Sequence, residues 1–304
     1  MKYLSLFSGI GGFELGIQQA YEDIQRRSGK TSQGMGDKPV SSNIEQRREQ
    51  EQHPTCVGYS EIDKYAIQIY EKHFKHKNYG DITKIDTATL PDFDLIVGGF
   101  PCQAFSIAGK RKGFEDTRGT LFFEIARIIQ SKQPRLLLLE NVKGLLSHDD
   151  GRTFKTIIST LAELGYDCQW QVLNSKNFGV PQNRERVFII GHLRGTSRPK
   201  VFPFAESNPA YLEEITSEVS DAQRIYNPDG IAKTLKGLGG GLGAKTGMYQ
   251  LENAKIRRLT PTECERLQGF PDGWTEGVSD TQKYKCLGNA VTVNVIKAIA
   301  DLLL

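Results

Sequence analysis

The stretch YLSLFSGIGGFELG, residues 3–16, decides how the chain folds. Tyr3-Leu4-Ser5-Leu6-Phe7 reads as a buried strand that ends at glycines, and the residues after them open a helix. A strand, a glycine turn and a helix make the first half of a β-α unit. Glycines there let a ligand approach the backbone where a Cβ would clash. The helix N-terminus favours polar or negative groups. The spacing is G-x-G-G-x-x-x-G, which is not the dinucleotide pattern G-x-G-x-x-G. Alone it is a weak pointer to a nucleoside-type ligand.

The same rhythm continues down the chain. Thr55 to Ser60 reads as a strand, and Asp63 to about Phe74 as a helix. Phe93 to Val97 is an apolar run ending at Gly98-Gly99. Thr120 to Lys132 is helical, Leu136 to Leu139 is a continuous apolar run, and Thr153 to Leu164 is helical. Arg186 to Ile190 closes the series. The alternation predicts an α/β, Rossmann-like fold with a mostly parallel, doubly wound sheet. Ligands of such sheets sit at the carboxyl ends of the strands. The polar motifs fall there, after Phe7, Ser60, Val97 and Leu139.

Two segments break the rhythm. Residues 25–53 are polar and mixed in charge, and read as a mobile insertion or a surface helix pair. Residues 193–255 gain Gly, Pro and Thr, which suggests a second, smaller lobe. Within it GLGGGLGAKTG (237–247) holds six glycines. That is either a flexible loop or backbone that must approach something closely. RRLTPTECERLQGFP (257–271) contains a capping box, with Thr260 at the cap, Pro261 at the first helical position and Glu263 three residues on. Asn289 is expected to cap a last helix with Val291, Val295, Ile299 and Leu302 on one face. The resulting division is 1–192 with 284–304 as the catalytic and cofactor domain, and 193–283 as a second domain with its hinge.

The formal charge of the 304 residues is only +3. Local clusters say more about an anionic partner: Lys110-Arg111-Lys112, Arg257-Arg258, and Arg184 with Arg186. No apolar run is expected to span a bilayer, and the N-terminus lacks the features of a signal peptide. The five cysteines are scattered without a C-x-x-C pair. This disfavours zinc or disulfides and fits a reducing cytoplasm. Cys102 is in unusual company, directly after Pro101 at the exit of an apolar run.

At that strand edge Cys102 could act as a thiolate, its pKa lowered by cations such as Lys110 and Arg111. Glu140, which follows the Leu run, could be an acid with a raised pKa. Arg184 and Arg186 share a face by the two-residue period. Glu61 could accept ribose hydroxyls and Asp81 an amine, although each could equally be a helix cap. Core cysteine, strand-end cap and salt-bridged face are the structural alternatives for the others.

FSGIGG, PCQ, ENV, QNRERVFIIG, RRLTPTECERLQGFP and GNAV occur in the order of the cytosine-5 DNA methyltransferases. The chain resembles that family over most of its length outside 25–53 and 193–255. The resemblance implies methyl transfer from S-adenosyl-L-methionine to C5 of a cytosine flipped out of double-stranded DNA. It implies Cys102 as nucleophile at C6, Glu140 at N3, and Arg186 with Arg184 at the O2 edge. It assigns the cofactor to Phe7, Gly9, Ile10, Gly11, Glu61, Ile62, Asp81, Ile82, Pro101, Asn289 and Val291. DNA contacts would come from Gln103, Ser106, Lys110, Arg111 and Lys112 on a mobile catalytic loop. Further DNA contacts would come from Thr234, Leu235, Lys236, Gly239 and Gly240 in a target-recognition domain. Ala108 stands where some relatives have a serine, so no hydroxyl contact is expected there. A cytoplasmic monomer with no membrane partner is the expected context. An RNA methyltransferase of the same fold and a catalytically silent DNA-binding relative are the alternatives. The second is opposed by the presence of every catalytic residue type. A nicotinamide enzyme would have no use for Cys102.

Overall fold

A computed structural model describes residues 1–29, 53–101, 121–205, 215–216, 220, 223–237, 243–250 and 255–304. Strand β1 (Lys2–Leu6) runs into the glycine turn and then into helix α1 (Gly12–Arg27). The series continues with β2 (Thr55–Ser60), α2 (Lys64–His73), β3 (Leu95–Gly99), α3 (Leu121–Lys132), β4 (Leu136–Val142) and α4 (Arg152–Glu163). Strands β5 (Tyr166–Asn174) and β6 (Glu185–Leu193) complete a six-stranded sheet of order β2-β1-β3-β4-β6-β5. The first four strands are mutually parallel, and β6 runs antiparallel to both β4 and β5.

The continuous Leu run of β4 serves both faces of the sheet. Leu137 and Leu139 pack with Leu4, Leu6, Ile96 and Ile189 under α3 and α4. Leu136 and Leu138 face the other way, with Tyr3, Leu95 and Val97, under α1 and the last helix, α7 (Val293–Leu303). Alternation along a strand sends neighbouring side chains to opposite layers, so a strand covered on both sides must be apolar throughout. A third cluster joins Ile10, Leu15 and Ile69 to Leu235, Tyr249, Cys264, Phe270 and Trp274. A small three-stranded sheet, β7 (Ile225–Tyr226), β8 (Met248–Gln250) and β9 (Ile256–Arg258), lies in the second lobe.

Several expectations change. β5 is a full nine-residue strand. Its sequence, YDCQWQVLN, is polar because it forms the sheet edge and leaves Trp170 48% exposed. Asn289 does not cap the last helix. It ends helix α6 (Asp280–Asn289), and Thr292 occupies the cap of α7, with Val291 between the two. The capping box at Thr260 and Glu263 is present and opens α5 (Pro261–Leu267). Cys264, Leu267, Phe270 and Trp274 pack with Ile10, Leu15, Ile69 and His73. Trp274 stacks on His73 with ring centroids 3.6 Å apart and donates its indole N–H to the Ile10 carbonyl at 2.9 Å. Asp280–Leu303 would be long and apolar enough to cross a membrane by length and composition only. It is two helices broken after Asn289, and 67% of its most apolar window is buried in the protein. Residues 30–52 of the polar insertion lie outside the described residues, while Gln25, Arg26 and Arg27 form the end of α1.

Glu14, in the first turn of α1, is 1% exposed. Tyr70 donates its hydroxyl hydrogen to Glu14 Oε1 at 3.0 Å, and the same hydroxyl lies 2.8 Å from His76 Nδ1. Burial pushes the Glu14 carboxyl up from 4.5 to about 7, against the hydrogen bonds that favour its ionised form. The folded chain therefore holds a proton that the unfolded chain releases. The resulting stabilisation is complete below the unfolded pKa and is lost as pH rises through about 7. It amounts to roughly 3 kcal/mol across that window. Urea unfolding of Glu14→Gln should lack this decline. An unchanged pH dependence in the variant would assign it to other groups.

Candidate active site

The antiparallel course of β6 explains why one motif follows a strand and another precedes one. β4 ends at the edge where β6 begins, with Val142 opposite Arg186 and Glu140 opposite Phe188. Across that register Arg186 Nε lies 3.0 Å from Glu140 Oε1. Both side chains are largely buried. Gly99 at the end of β3 makes room for the acid, since a Cβ there would stand 2.9 Å from Glu140 Oε2. Asn141, 2% exposed, donates Nδ2–H to the Phe100 carbonyl at 2.9 Å. It thereby fixes the backbone two residues before Cys102. Burial pushes the Glu140 carboxyl up, while Arg186 and then Arg184 pull it back. The net direction is upward, toward a buried carboxyl that keeps its proton beyond the usual range.

Arg184 does not stand beside Arg186 at that edge. It is 1% exposed and turns inward. Its Nη1 donates to the Leu235 carbonyl at 2.9 Å, and Nη2 donates to those of Gly288 and Ala290 at 3.0 and 2.7 Å. The two-residue period fails here because regular strand begins only at Glu185.

At the carboxyl ends of β1 and β2 a second cluster forms. Phe7 and Gly9 have φ of +54° and +55°, and a Cβ on Gly9 would meet nothing within 4 Å. Gly9 N–H donates to Glu61 Oε2 at 2.9 Å, and the Ile62 and Asp63 amides donate to Oε1 at 2.8 Å each. Glu61 is thus locked against the glycine turn by backbone, as a cap would be. Ile62 is 73% exposed, unusual for so large an apolar side chain. Asp63 caps α2 and pairs with Lys285 of α6 at 2.6 Å. Asp81 accepts from Thr83 N and Oγ1 at 3.0 and 2.8 Å, and Ile82 is buried in the core. Ile10 is buried too, and Gly11 packs against Phe74. Val291 touches Gly12, so the α6–α7 turn reaches the glycine turn as expected.

In the second lobe Thr234 Oγ1 donates to the Asn183 carbonyl. Leu235, expected at DNA, is 3% exposed with its side chain in the third core cluster. Its N–H donates to Gln182 Oε1 at 3.1 Å. Lys236 N–H donates to the Lys245 carbonyl at 2.9 Å. Pro101 is described and exposed. Cys102, Gln103, Ser106, Lys110, Arg111, Lys112, Gly239 and Gly240 lie outside the described residues. Sequence reasoning missed Trp274, His73 and Lys285 as supports of the site, and gave Gln182 and Gln268 no role of their own within their motifs. A tryptophan beside a helix stop was the available signal for the first.

The family model of C-5 cytosine-specific DNA methylases matches residues 1–229 and 205–304. The chain belongs to this family. Type II methyltransferase M.HhaI of Haemophilus parahaemolyticus is 36% identical, over 99% of this chain and 93% of that protein. M1.ScrFI of Lactococcus lactis subsp. cremoris is 41% identical over 100% and 78%, and M.HpaII of Haemophilus parainfluenzae 38% over 97% and 87%. Among solved structures, the Dnmt2 methyltransferase of S. pombe superposes with a TM-score of 0.70 at 20% identity, covering 100% of this chain and 98% of that one. That likeness speaks for the Rossmann-like fold alone. Family membership makes this chain a DNA cytosine-5 methyltransferase, so Glu140 and Arg186 stand at the edge of a methyltransferase sheet.

Proposed function

We propose that the chain is the modification enzyme of a Type II restriction-modification system, methylating one cytosine of a short word in double-stranded DNA. The carrying observation is the Glu140–Arg186 pair, 3.0 Å apart and largely buried, at the strand edge where Phe100-Pro101 leads to Cys102. A cytosine in a duplex hides C6, so the base must leave the stack to meet that edge. The Cys102 thiolate adds to C6 while Glu140 delivers its proton to N3, which leaves C5 electron-rich. Arg186 holds the O2 edge and, through its pairing with Glu140, the acid itself. C5 would take the methyl group as the sulfonium C–S bond breaks and the thioether leaves with the electron pair. C5 then loses its own proton to a base, and N3 returns its proton to Glu140. The electron pair of that C–H bond restores the ring and expels the Cys102 thiolate.

S-adenosyl-L-methionine supplies an electrophilic methyl group when bound. The residues present fit it. A Cβ on Gly9 would point into open space, Ile62 offers an exposed apolar face, and Glu61 is fixed between them with a lone pair to spare. Phe7, Gly9, Ile10, Gly11, Glu61, Ile62, Asp81, Ile82, Pro101, Asn289 and Val291 would hold it, Ile10 and Ile82 through their backbone. Lys110, Arg111, Lys112, Gln103, Ser106, Thr234, Lys236, Gly239 and Gly240 would meet DNA, and Leu235 would support them from the core. The working form is a monomer in the cytoplasm, with no membrane partner.

The test is methyl incorporation by the purified chain into unmethylated duplex DNA and into transfer RNA, with base-resolution sequencing of the DNA. Methylated cytosine confined to one short word is the expected result. Incorporation into transfer RNA with none into DNA would overturn the reading.

A further inference from the structure

Arg184 sits where three chain segments meet. Two of them, Thr234–Gly237 of the second lobe and the Gly288–Ala290 turn between α6 and α7, take no part in the six-stranded sheet. The third is the entry to β6. Arg184 reaches all three, being bound covalently to the last and donating to carbonyls of both others. The two outer segments touch each other directly. A Cβ on Gly237 would overlap the Asn289 side chain, and one on Gly288 would overlap the Lys236–Gly237 backbone. Around this crossing, Gln182 and Gln268 are fully buried. Gln182 donates to the Leu267 carbonyl at 2.8 Å, and Gln268 donates to that of Leu287 at 2.7 Å.

A guanidinium removed from water and given only carbonyl acceptors is costly to bury. Burial and repulsion from Arg186 both oppose its charge. Its planar fork can serve carbonyls in two directions at once, which an ammonium cannot do with fixed geometry. Gly288 and Ala290 flank Asn289, and Leu235 follows Thr234. One side chain therefore sets the backbone on either side of Asn289 and at Leu235 of the recognition step.

We propose that Arg184 is a positioning residue that touches neither base nor cofactor. By fixing the Leu235, Gly288 and Ala290 carbonyls against the strand of Arg186, it governs affinity at the cofactor site and at the recognition lobe together. This rests on the reading that Asn289 and Val291 line the cofactor site.

The discriminating measurement is cofactor affinity of the full-length chain without DNA, by calorimetry with S-adenosylmethionine. A residue acting only on the base would leave that affinity untouched. Arg184→Lys keeps a cation and loses the fork. It should weaken cofactor binding about tenfold in protein shown to be folded by circular dichroism, and should weaken binding of unmethylated duplex DNA as well. Asn289→Ala tests the underlying reading separately. If Asn289→Ala weakens cofactor binding and Arg184→Lys does not, the proposal is overturned. If neither changes it, the reading of Asn289 as a cofactor residue is wrong and takes the proposal with it. Should Arg184→Lys fail to fold, Arg184→Gln, which keeps a planar donor without the charge or the fork, asks the same question, and an unchanged cofactor affinity there overturns the proposal too.

Discussion

Replacing Cys102 with serine is expected to lower methyl transfer by about 10⁴-fold or more, with affinity for duplex DNA near that of the parent chain. C5 of cytosine is a poor nucleophile, so the reaction depends on an addition to C6 that only a strong, soft nucleophile performs at neutral pH. A thiol ionises far more readily than a hydroxyl, and its thiolate is the reacting species. The serine variant keeps nearly the same shape, so contacts that hold the flipped base should survive. The sharpest readout is a denaturation-resistant complex with DNA carrying 5-fluorocytosine at the target. Fluorine cannot leave C5 as a proton does, so the Sγ–C6 bond persists once formed. The parent chain should give the complex and Cys102→Ser should not. An equal yield from the variant would place the nucleophile elsewhere.

Much of this was legible from residue order alone, and the parts that were not have identifiable physical causes. The glycine turn at 9–12 and the Leu run at 136–139 have patterns that only buried, helix-covered strands require. β5 was lost because an edge strand needs few apolar residues, and Gln169 and Gln171 in it bond to chain outside the sheet. α6 was lost because DTQKYKCLGN buries only Tyr284, Cys286, Leu287 and Gly288. The Glu140–Arg186 pair depends on the reversal of β6, which spacing along the chain does not encode. Arg184 shows the converse error. A period of two was applied to a residue just outside the strand, and it put on the face of Arg186 a guanidinium that is wholly interior; its place at the O2 edge was implied by the resemblance alone. Glu61 keeps both of its readings, since a carboxylate holding three amides is a cap and is also held still for a further partner.

Glu140→Gln should lower the single-turnover rate of methyl transfer by about 10²- to 10³-fold, and the shape of the pH profile should identify the cause. The amide is the same size and can still donate a hydrogen bond, but it has no proton to transfer to N3. The described charged groups that act on Glu140 are Arg186 and Arg184, both of which favour its ionised form. Burial favours the neutral form and is the larger effect, so the acid keeps its proton above the ordinary carboxylate range. The proton-donating form is complete below that raised pKa and is lost above it. The rate of the parent chain, corrected for Cys102 ionisation by parallel alkylation, should therefore carry a limb that falls as pH rises. Glu140→Gln should be slow at every pH and lack that limb. Arg186→Met removes the closer cation, so Glu140 should hold its proton to still higher pH and the limb should move upward. A limb that stays in place in both variants belongs to another group, and the assignment of Glu140 as the acid would then fail.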